Sequence, residues 1–280
     1  MVVFCTNLYI DRISHKFDRS RDLNKTDEDE KKCLLGLLIL SGVNRSGHQN
    51  LEDPWRTNGL GIDIILSCNN DIETIFFLSR CIRFDDNRDR QSRKYIDNFA
   101  AFRDIFKLFL ANCENNYTVS EYTTIDEQLV AFRGRCPFRI YIPSKPAKYS
   151  LKIQTICDAQ TWYTLNMELY TGKQKEGPYK ISNSATDVIL RLSRPIYDSG
   201  SNIMADNWFS SIPLANELLK EKITLVSTIR KNKKERPIQL VSTKNRVENS
   251  TLFGFGKQMT IASYIPKKKQ KCNYAIYYAS

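Results

Sequence analysis

Thr123-Thr124-Ile125-Asp126-Glu127-Gln128-Leu129 and Ala205-Asp206-Asn207-Trp208-Phe209 are the two stretches that decide how this 280-residue chain is read. Each contains a short apolar run ending in a carboxylate. Asp126 is followed by Arg133, Arg135, Arg139, Lys145 and Lys148, and Asp206 by Trp208 and Phe209. Carboxylates fixed at strand tips suit hard divalent cations, which prefer oxygen ligands in set positions. Arginine and lysine beside them suit phosphate oxygens. Together they point to metal-assisted phosphoryl chemistry, in which two ions ~4 Å apart activate the attacking oxygen and stabilise the leaving one. Strand-terminal acids that merely cap loops would show the same spacing, so the flanking residues carry the decision.

Working outward, Ile125 to Phe132 reads as a strand, followed by a proline-rich loop from Cys136 to Ala147. Leu151 to Cys157 and Trp162 to Leu169, joined by a turn at Asp158-Ala159-Gln160, read as an antiparallel hairpin. Asp158 suits a turn through local hydrogen bonding, and Glu127 falls on the opposite strand face from Asp126. Ser184 caps a helix over Ala185 to Arg194 that Pro195 stops. Asn202 to Phe209 reads as a strand, Ile212 to Lys220 as a helix, and Ile223 to Ile229 as a strand rich in β-branched residues. Trp208 is expected to pack. Three strands, helix, strand, helix, strand is the order of an RNase H-like sheet up to its fifth strand. There the first and fourth strands are neighbours, which would bring Asp126 and Asp206 to one end of the sheet. Arg230 to Lys271 is basic, broken by Gly and Pro, and reads as an insertion.

Residues 1–118 read as mainly helical. Thr26 or Asp27 caps an acidic first turn, Asp27 to Glu30, before the apolar run Cys33 to Leu40, which ends near Gly42. Asp71 to Cys81 and Phe99 to Cys113 read as further helices, the latter with Phe102, Ile105, Phe106, Phe109 and Leu110 on one face. Arg80 to Lys94 reads as a mixed-charge loop that either touches a nucleic-acid backbone or links helices in solvent.

Net charge is +11 and the pI near 9.2, a balance that favours a polyanionic partner through counterion release. No apolar run approaches the ~20 residues of a membrane span, and Met1-Val-Val-Phe-Cys5 lacks a signal peptide's basic segment, so no membrane association is expected. Eight scattered cysteines without a Cys-x-x-Cys, and only His15 and His48, suggest reduced thiols in an intracellular protein and no zinc site.

The string from Thr124-Ile125-Asp126 through Arg133-Gly134-Arg135-Cys136-Pro137-Phe138-Arg139 to Lys145-Pro146 resembles a signature of piggyBac-family transposases. Asp206-Asn207-Trp208-Phe209-Ser210-Ser211-Ile212-Pro213 is similar to the family's second signature block. Cys81-Ile82-Arg83-Phe84-Asp85-Asp86 and Arg230 to Pro237 also fit, and the similarity runs over essentially the whole chain.

The resemblance implies an α/β chain with three parts. Residues 1–118 would form a helical dimerisation and DNA-binding domain, 119–230 the first part of a split RNase H-like (DDE transposase) catalytic domain, and 231–280 part of an insertion domain. It implies Asp126 and Asp206 as catalytic and metal-binding residues for two Mg2+ (or Mn2+) ions. Arg133, Arg135, Arg139, Lys145 and Lys148 are expected to line the path of double-stranded DNA, the transposon terminal repeats. A homodimer and a nuclear location are also expected. The family's third aspartate lies in a Gly-Gly-Val-Asp-like segment after the insertion. No such segment occurs up to Ser280, and Glu217, Glu235 and Glu248 stand elsewhere in the expected fold. Strand cleavage and transfer is therefore expected to be lost or severely weakened. A non-enzymatic, domesticated DNA-binding or dimerisation module is the alternative. Lys267-Lys-Lys-Gln-Lys271 suits a nuclear-import signal or a phosphate-contacting tail.

Overall fold

A computed structural model describes residues 1–17, 24–43, 72–230, 233, 237–242, 246–266 and 273–277. The chain divides into two units, Met1–Ile105 and Phe106–Ser280.

The second unit is built on one mixed sheet. Its strands are β1 (Tyr122–Ala131), β2 (Ile140–Tyr141), β3 (Tyr149–Asp158), β4 (Thr164–Leu169), β5 (Asn202–Ala205), β6 (Thr224–Thr228), β7 (Ser250–Phe255), β8 (Thr260–Ile265) and β9 (Asn273–Tyr277). They are ordered β2-β3-β1-β5-β6-β9-β8-β7, with β4 also paired to β3. The β1–β5 and β5–β6 pairs are parallel and the rest antiparallel. A parallel pair needs a crossover, and α7 (Ile212–Lys220) forms it between β5 and β6. The helix before β5, α6 (Ala185–Leu192), is capped by Ser184, whose Oγ accepts from the Asp187 N–H at 3.2 Å. Ser211 caps α7 through the Leu214 N–H at 3.3 Å, with a proline in the first turn.

Alternation sorts the central strands into two faces. Ile125, Ile156, Ile203 and Leu225 point to one face and are buried with Val188, Ile189 and Leu192 of α6 and Leu214 and Leu218 of α7. The opposite face carries Thr124, Asp126, Gln128 and Val130 of β1 beside Met204 of β5, and both Val130 and Met204 stay about 40% exposed.

The strand order around the two acids agrees with the sequence reading, with local differences. Trp162 lies in the hairpin turn at φ 60°, fully outside β4, and Asn202–Ala205 is shorter than expected because the chain turns at Asp206. The stretch after Arg230 is more regular than its composition suggested. Ser250–Phe255 and Thr260–Ile265 form a hairpin, and β9 joins it to β6 through Ser227↔Ile276 and Thr228↔Ala275. Asp158 has the expected turn role. It is 1% exposed and accepts the N–H groups of Ser120, Gln160 and Thr161 at 2.5, 2.8 and 2.9 Å, which hold its carboxyl well below the usual range.

In the first unit the helices are α1 (Val2–Ile13), α2 (Glu28–Val43), α3 (Ile72–Cys81) and α4 (Arg90–Ile96), followed by α5 (Arg103–Asn115), which spans the division. Asp27 is the cap of α2, accepting from the Glu30 N–H at 2.8 Å. Asn7 and Thr26 clasp each other through two reciprocal bonds of 2.8 and 2.9 Å, tying α1 to the start of α2. Arg80 to Lys94 is not the loop expected, since α4 occupies its second half. The Phe99 to Cys113 helix starts later, at Arg103, and Phe102 and Phe109 of its apolar stripe are exposed. Lys31 is 6% exposed with no hydrogen-bond partner for Nζ among the described residues, and burial pushes its ammonium down to about 8.

Asp158→Ala is expected to lower the melting temperature by on the order of 5 °C. In the wild type the Asp158 contribution is full above the ordinary Asp value of about 3.9 and is lost as pH falls toward the depressed native value. Acid melts of wild type should therefore fall more steeply than those of the variant. For Lys31 the sign is the same at higher pH, because the folded state holds fewer protons than the unfolded between about pH 8 and 10 and the cost of burying the ammonium is relieved there. Stability measured by urea titration should rise across that window in wild type and stay flat in Lys31→Met.

Candidate metal and nucleic-acid site

The parallel register of β1 and β5 ends at Ile125↔Ala205. Asp126, in the middle of β1, and Asp206, one residue past the end of β5, come next, so they stand level, about 5 Å apart at the backbone by ordinary strand spacing. Both are exposed. Each carboxylate is steadied from one side, since Oδ1 of Asp126 accepts the Glu127 N–H at 2.7 Å and Oδ1 of Asp206 accepts the Asn207 N–H at 2.5 Å. The backbone is fixed as well. The Thr155 hydroxyl donates to the Asp126 carbonyl at 3.3 Å, and the Ser210 hydroxyl and Phe209 N–H donate to the Asp206 carbonyl at 2.9 and 3.1 Å.

Two solvent-facing carboxylates at one level are a donor set of the right chemistry for a hard divalent cation, with coordination completed by water. Among the described residues no cluster of three or more Asp, Glu, His or Cys forms around them. Glu127 points to the other face, Glu217 pairs with Lys220 at 2.7 Å on α7, Glu248 is exposed near β7, and Glu235 lies outside the described residues.

All five expected phosphate-binding residues are exposed. Arg133, Arg139 and Lys148 line a cleft of about 730 Å3 together with Ala131, Pro146, Ala147 and Tyr149, whereas Arg135 and Lys145 lie outside it. No acid pairs with any of the five among the described residues. Arg139 differs from the others because its Nη1 donates to the carbonyls of Arg133 and Gly134 at 3.0 and 3.1 Å. It shapes the loop, and the other four keep their donors. Trp208 packs as expected, edge-on to Phe209 at 4.7 Å, with the Lys152 ammonium 4.7 Å from its ring.

The Arg80–Lys94 segment behaves otherwise. Arg90 bonds Asp85, Arg93 bonds Asp85 and Asp89 (both 2.9 Å), and Arg88 bonds Asp86 at 2.6 Å. These cations are neutralised by their own neighbours. The same partition holds for whole units, since residues 1–105 carry 16 Lys and Arg against 17 Asp and Glu, and residues 106–280 carry 26 against 14. The entire basic excess lies in the unit that holds the carboxylate pair.

Two features escaped the sequence reading. Arg230, leaving β6, donates through Nε to the Asn207 side-chain oxygen at 2.7 Å and so braces the residue next to Asp206. Tyr141 and Tyr149 form a ring pair beside the cleft. Their signal was present as aromatics interleaved with Arg139, Lys145 and Lys148. The Lys267–Lys271 run lies outside the described residues.

A family model described as Transposase IS4 matches residues 1–279. The human PiggyBac transposable element-derived protein 3 is 23% identical over 212 residues, covering 74% of this chain and 34% of its own length. The human Chimeric ERCC6-PGBD3 protein matches equally, over 19% of its length. Among solved structures, the cryo-EM piggyBac transposase synaptic complex with hairpin DNA aligns with a TM-score of 0.86 and 37% identity, over 99% of this chain and 57% of that one. The chain thus spans about a third of the first human relative and somewhat over half of the solved transposase. With the helices-then-mixed-sheet architecture and the two neighbouring acids, Asp126 within β1 and not at its tip, already in place, these matches show that the chain belongs to the piggyBac-type transposase family.

Proposed function

We propose that this chain binds double-stranded DNA, in the first place transposon terminal repeats, and that Asp126 and Asp206 are metal-holding carboxylates of a strand-cleavage and strand-transfer site. The observation that carries the proposal is the level placement of two exposed carboxylates on adjacent parallel strands, with unpaired cations following the first of them. The solved relative is a transposase–DNA complex, which supports DNA as the partner. In this reading Mg2+ or Mn2+ would be held by the open oxygens of Asp126 and Asp206, and such an ion polarises a phosphoryl oxygen when bound. The protein's own part is positional. Backbone N–H groups fix the two carboxylates before a phosphate arrives, and Arg133, Arg135, Lys145 and Lys148 hold the DNA backbone against the sheet end. Function on chromosomal DNA as a homodimer in the nucleus belongs to the same proposal.

A non-enzymatic DNA-binding role is the second reading, and the pair itself favours it for residues 1–280. Two carboxylates are fewer than the three the family resemblance implies, and no third acid joins them among the described residues. The 280-residue polypeptide is therefore expected to bind terminal-repeat DNA without nicking it in Mg2+ or Mn2+. Robust nicking that Asp126→Ala abolishes would overturn this.

Binding itself should survive Asp126→Ala and Asp206→Ala. Arg133→Ala with Arg135→Ala should weaken it uniformly across sequences and lower the slope of log affinity against log salt by about 2, measured by fluorescence anisotropy. Unchanged affinity and slope in that double variant would remove these residues from the DNA path.

A further inference from the structure

We propose that Tyr141 and Tyr149, at the β2–β3 end of the sheet, form a stacking platform for an unpaired base, so that the DNA handled by this chain is single-stranded near the carboxylate pair. The inference rests on the DNA-binding reading above and adds the form of DNA bound. Tyr141 and Tyr149 are register partners on antiparallel strands. Their rings lie 4.8 Å apart at 38°, yet they remain 56% and 47% exposed. Two neighbouring aromatic rings left this open present π-surface to solvent.

What surrounds the rings is selective. The Arg139 guanidinium sits 4.9 Å from the centre of the Tyr149 ring, and its bonds to the Arg133 and Gly134 carbonyls fix it there. With Arg139 and Tyr141 both against Tyr149, Tyr141 is the ring with open surface. The 4.8 Å separation leaves no room for a base between the rings, so the contact is stacking on the outside of the pair. Arg133 and Lys148 line the adjoining cleft, and among the described residues no acid does. Aromatic surface beside unpaired cations is the combination that holds single-stranded nucleic acid, with bases stacked on rings and phosphates on the cations. A duplex keeps its base faces inside its own stack and offers these rings nothing comparable.

Position ties the platform to the acids. Tyr149, Leu151, Ile153 and Thr155 share one face of β3 by alternation, and Thr155 is the register partner of Asp126. The rings therefore lie on the same sheet face as the carboxylates, at a distance of about 20 Å for six strand residues. At the 3.4 Å per-strand rise of duplex DNA this would be about six nucleotides, and a more extended single strand covers it in fewer. A strand with a phosphate at Asp126 and Asp206 reaches the tyrosines within about six nucleotides.

The test is binding of the full chain to a fluorescent single-stranded oligonucleotide and to a blunt duplex of the same sequence. Wild type should bind the single strand. Tyr141→Leu with Tyr149→Leu should weaken that binding about tenfold, within the range of one lost base stack, and change duplex affinity less than twofold. Tyr141→Phe with Tyr149→Phe, which keeps the rings, should bind as wild type. A 2-aminopurine in the oligonucleotide should be quenched by wild type and not by the leucine variant. Equal loss on both DNAs, or no loss on either, overturns the platform. Duplex binding without single-strand binding overturns it while leaving the DNA-binding proposal standing, and binding of neither overturns both.

Discussion

The parallel pairing of β1 with β5 is the constraint on which the rest of the second unit depends. β1, like β6, is flanked by an antiparallel neighbour on one side, here β3, and a parallel neighbour, β5, on the other. A parallel neighbour cannot be reached by a tight turn. The chain therefore runs through α6 before β5 and through α7 after it, and Val188, Ile189 and Leu192 of the first and Leu214, Ala215 and Leu218 of the second close the core over the sheet. The same register sets Asp126 level with Asp206. A slip of one residue would send one carboxylate into the face that holds Ile125 and Ile203, where an unpaired charge is costly. The burial of one face thus fixes the geometry of the other.

Much of this was legible in the residues themselves, and the limits of legibility have physical causes. The caps at Ser184 and Ser211, the β-branched run of β6 and the hairpin around Asp158 are local signals that tertiary packing did not override. The end of β5 was misjudged because Asp206–Phe209 continues the apolar pattern while its backbone turns to bury Phe209. α4 was missed because charged residues hide helical periodicity, and its reason for existing is the acid–base network with Asp85 and Asp89. The β7–β8 hairpin was obscured by flanking lysines, glycines and prolines, although Ser250–Phe255 and Thr260–Ile265 are good strand formers around a four-residue turn. At the site, residue identity revealed the carboxylates and cations. The Asn207–Arg230 brace and the tyrosine pair depend on which strands meet, and a linear sequence does not display that.

Charge tells the same story at a larger scale. Both units are rich in arginine and lysine, but the first balances them with its own acids and the second has 26 against 14 acids. Exposed ion pairs of the Arg88–Asp86 kind add little stability, so their main effect is to cancel a field. An overall charge of +11 would suggest a uniformly cationic molecule, whereas the attraction for a polyanion is concentrated where the carboxylates and the cleft lie.

The turn after β5 has one more consequence. Its two bonds to the Asp206 carbonyl come from Phe209 and Ser210, both buried, and the Phe209 ring is set into the core against Trp208. A solvent-facing acid is therefore aligned from beneath by an oily anchor three residues away. Drift in the packing at Phe209 would act as a rudder on Asp206, so the hydrophobic interior and the polar tip of this sheet cannot vary independently.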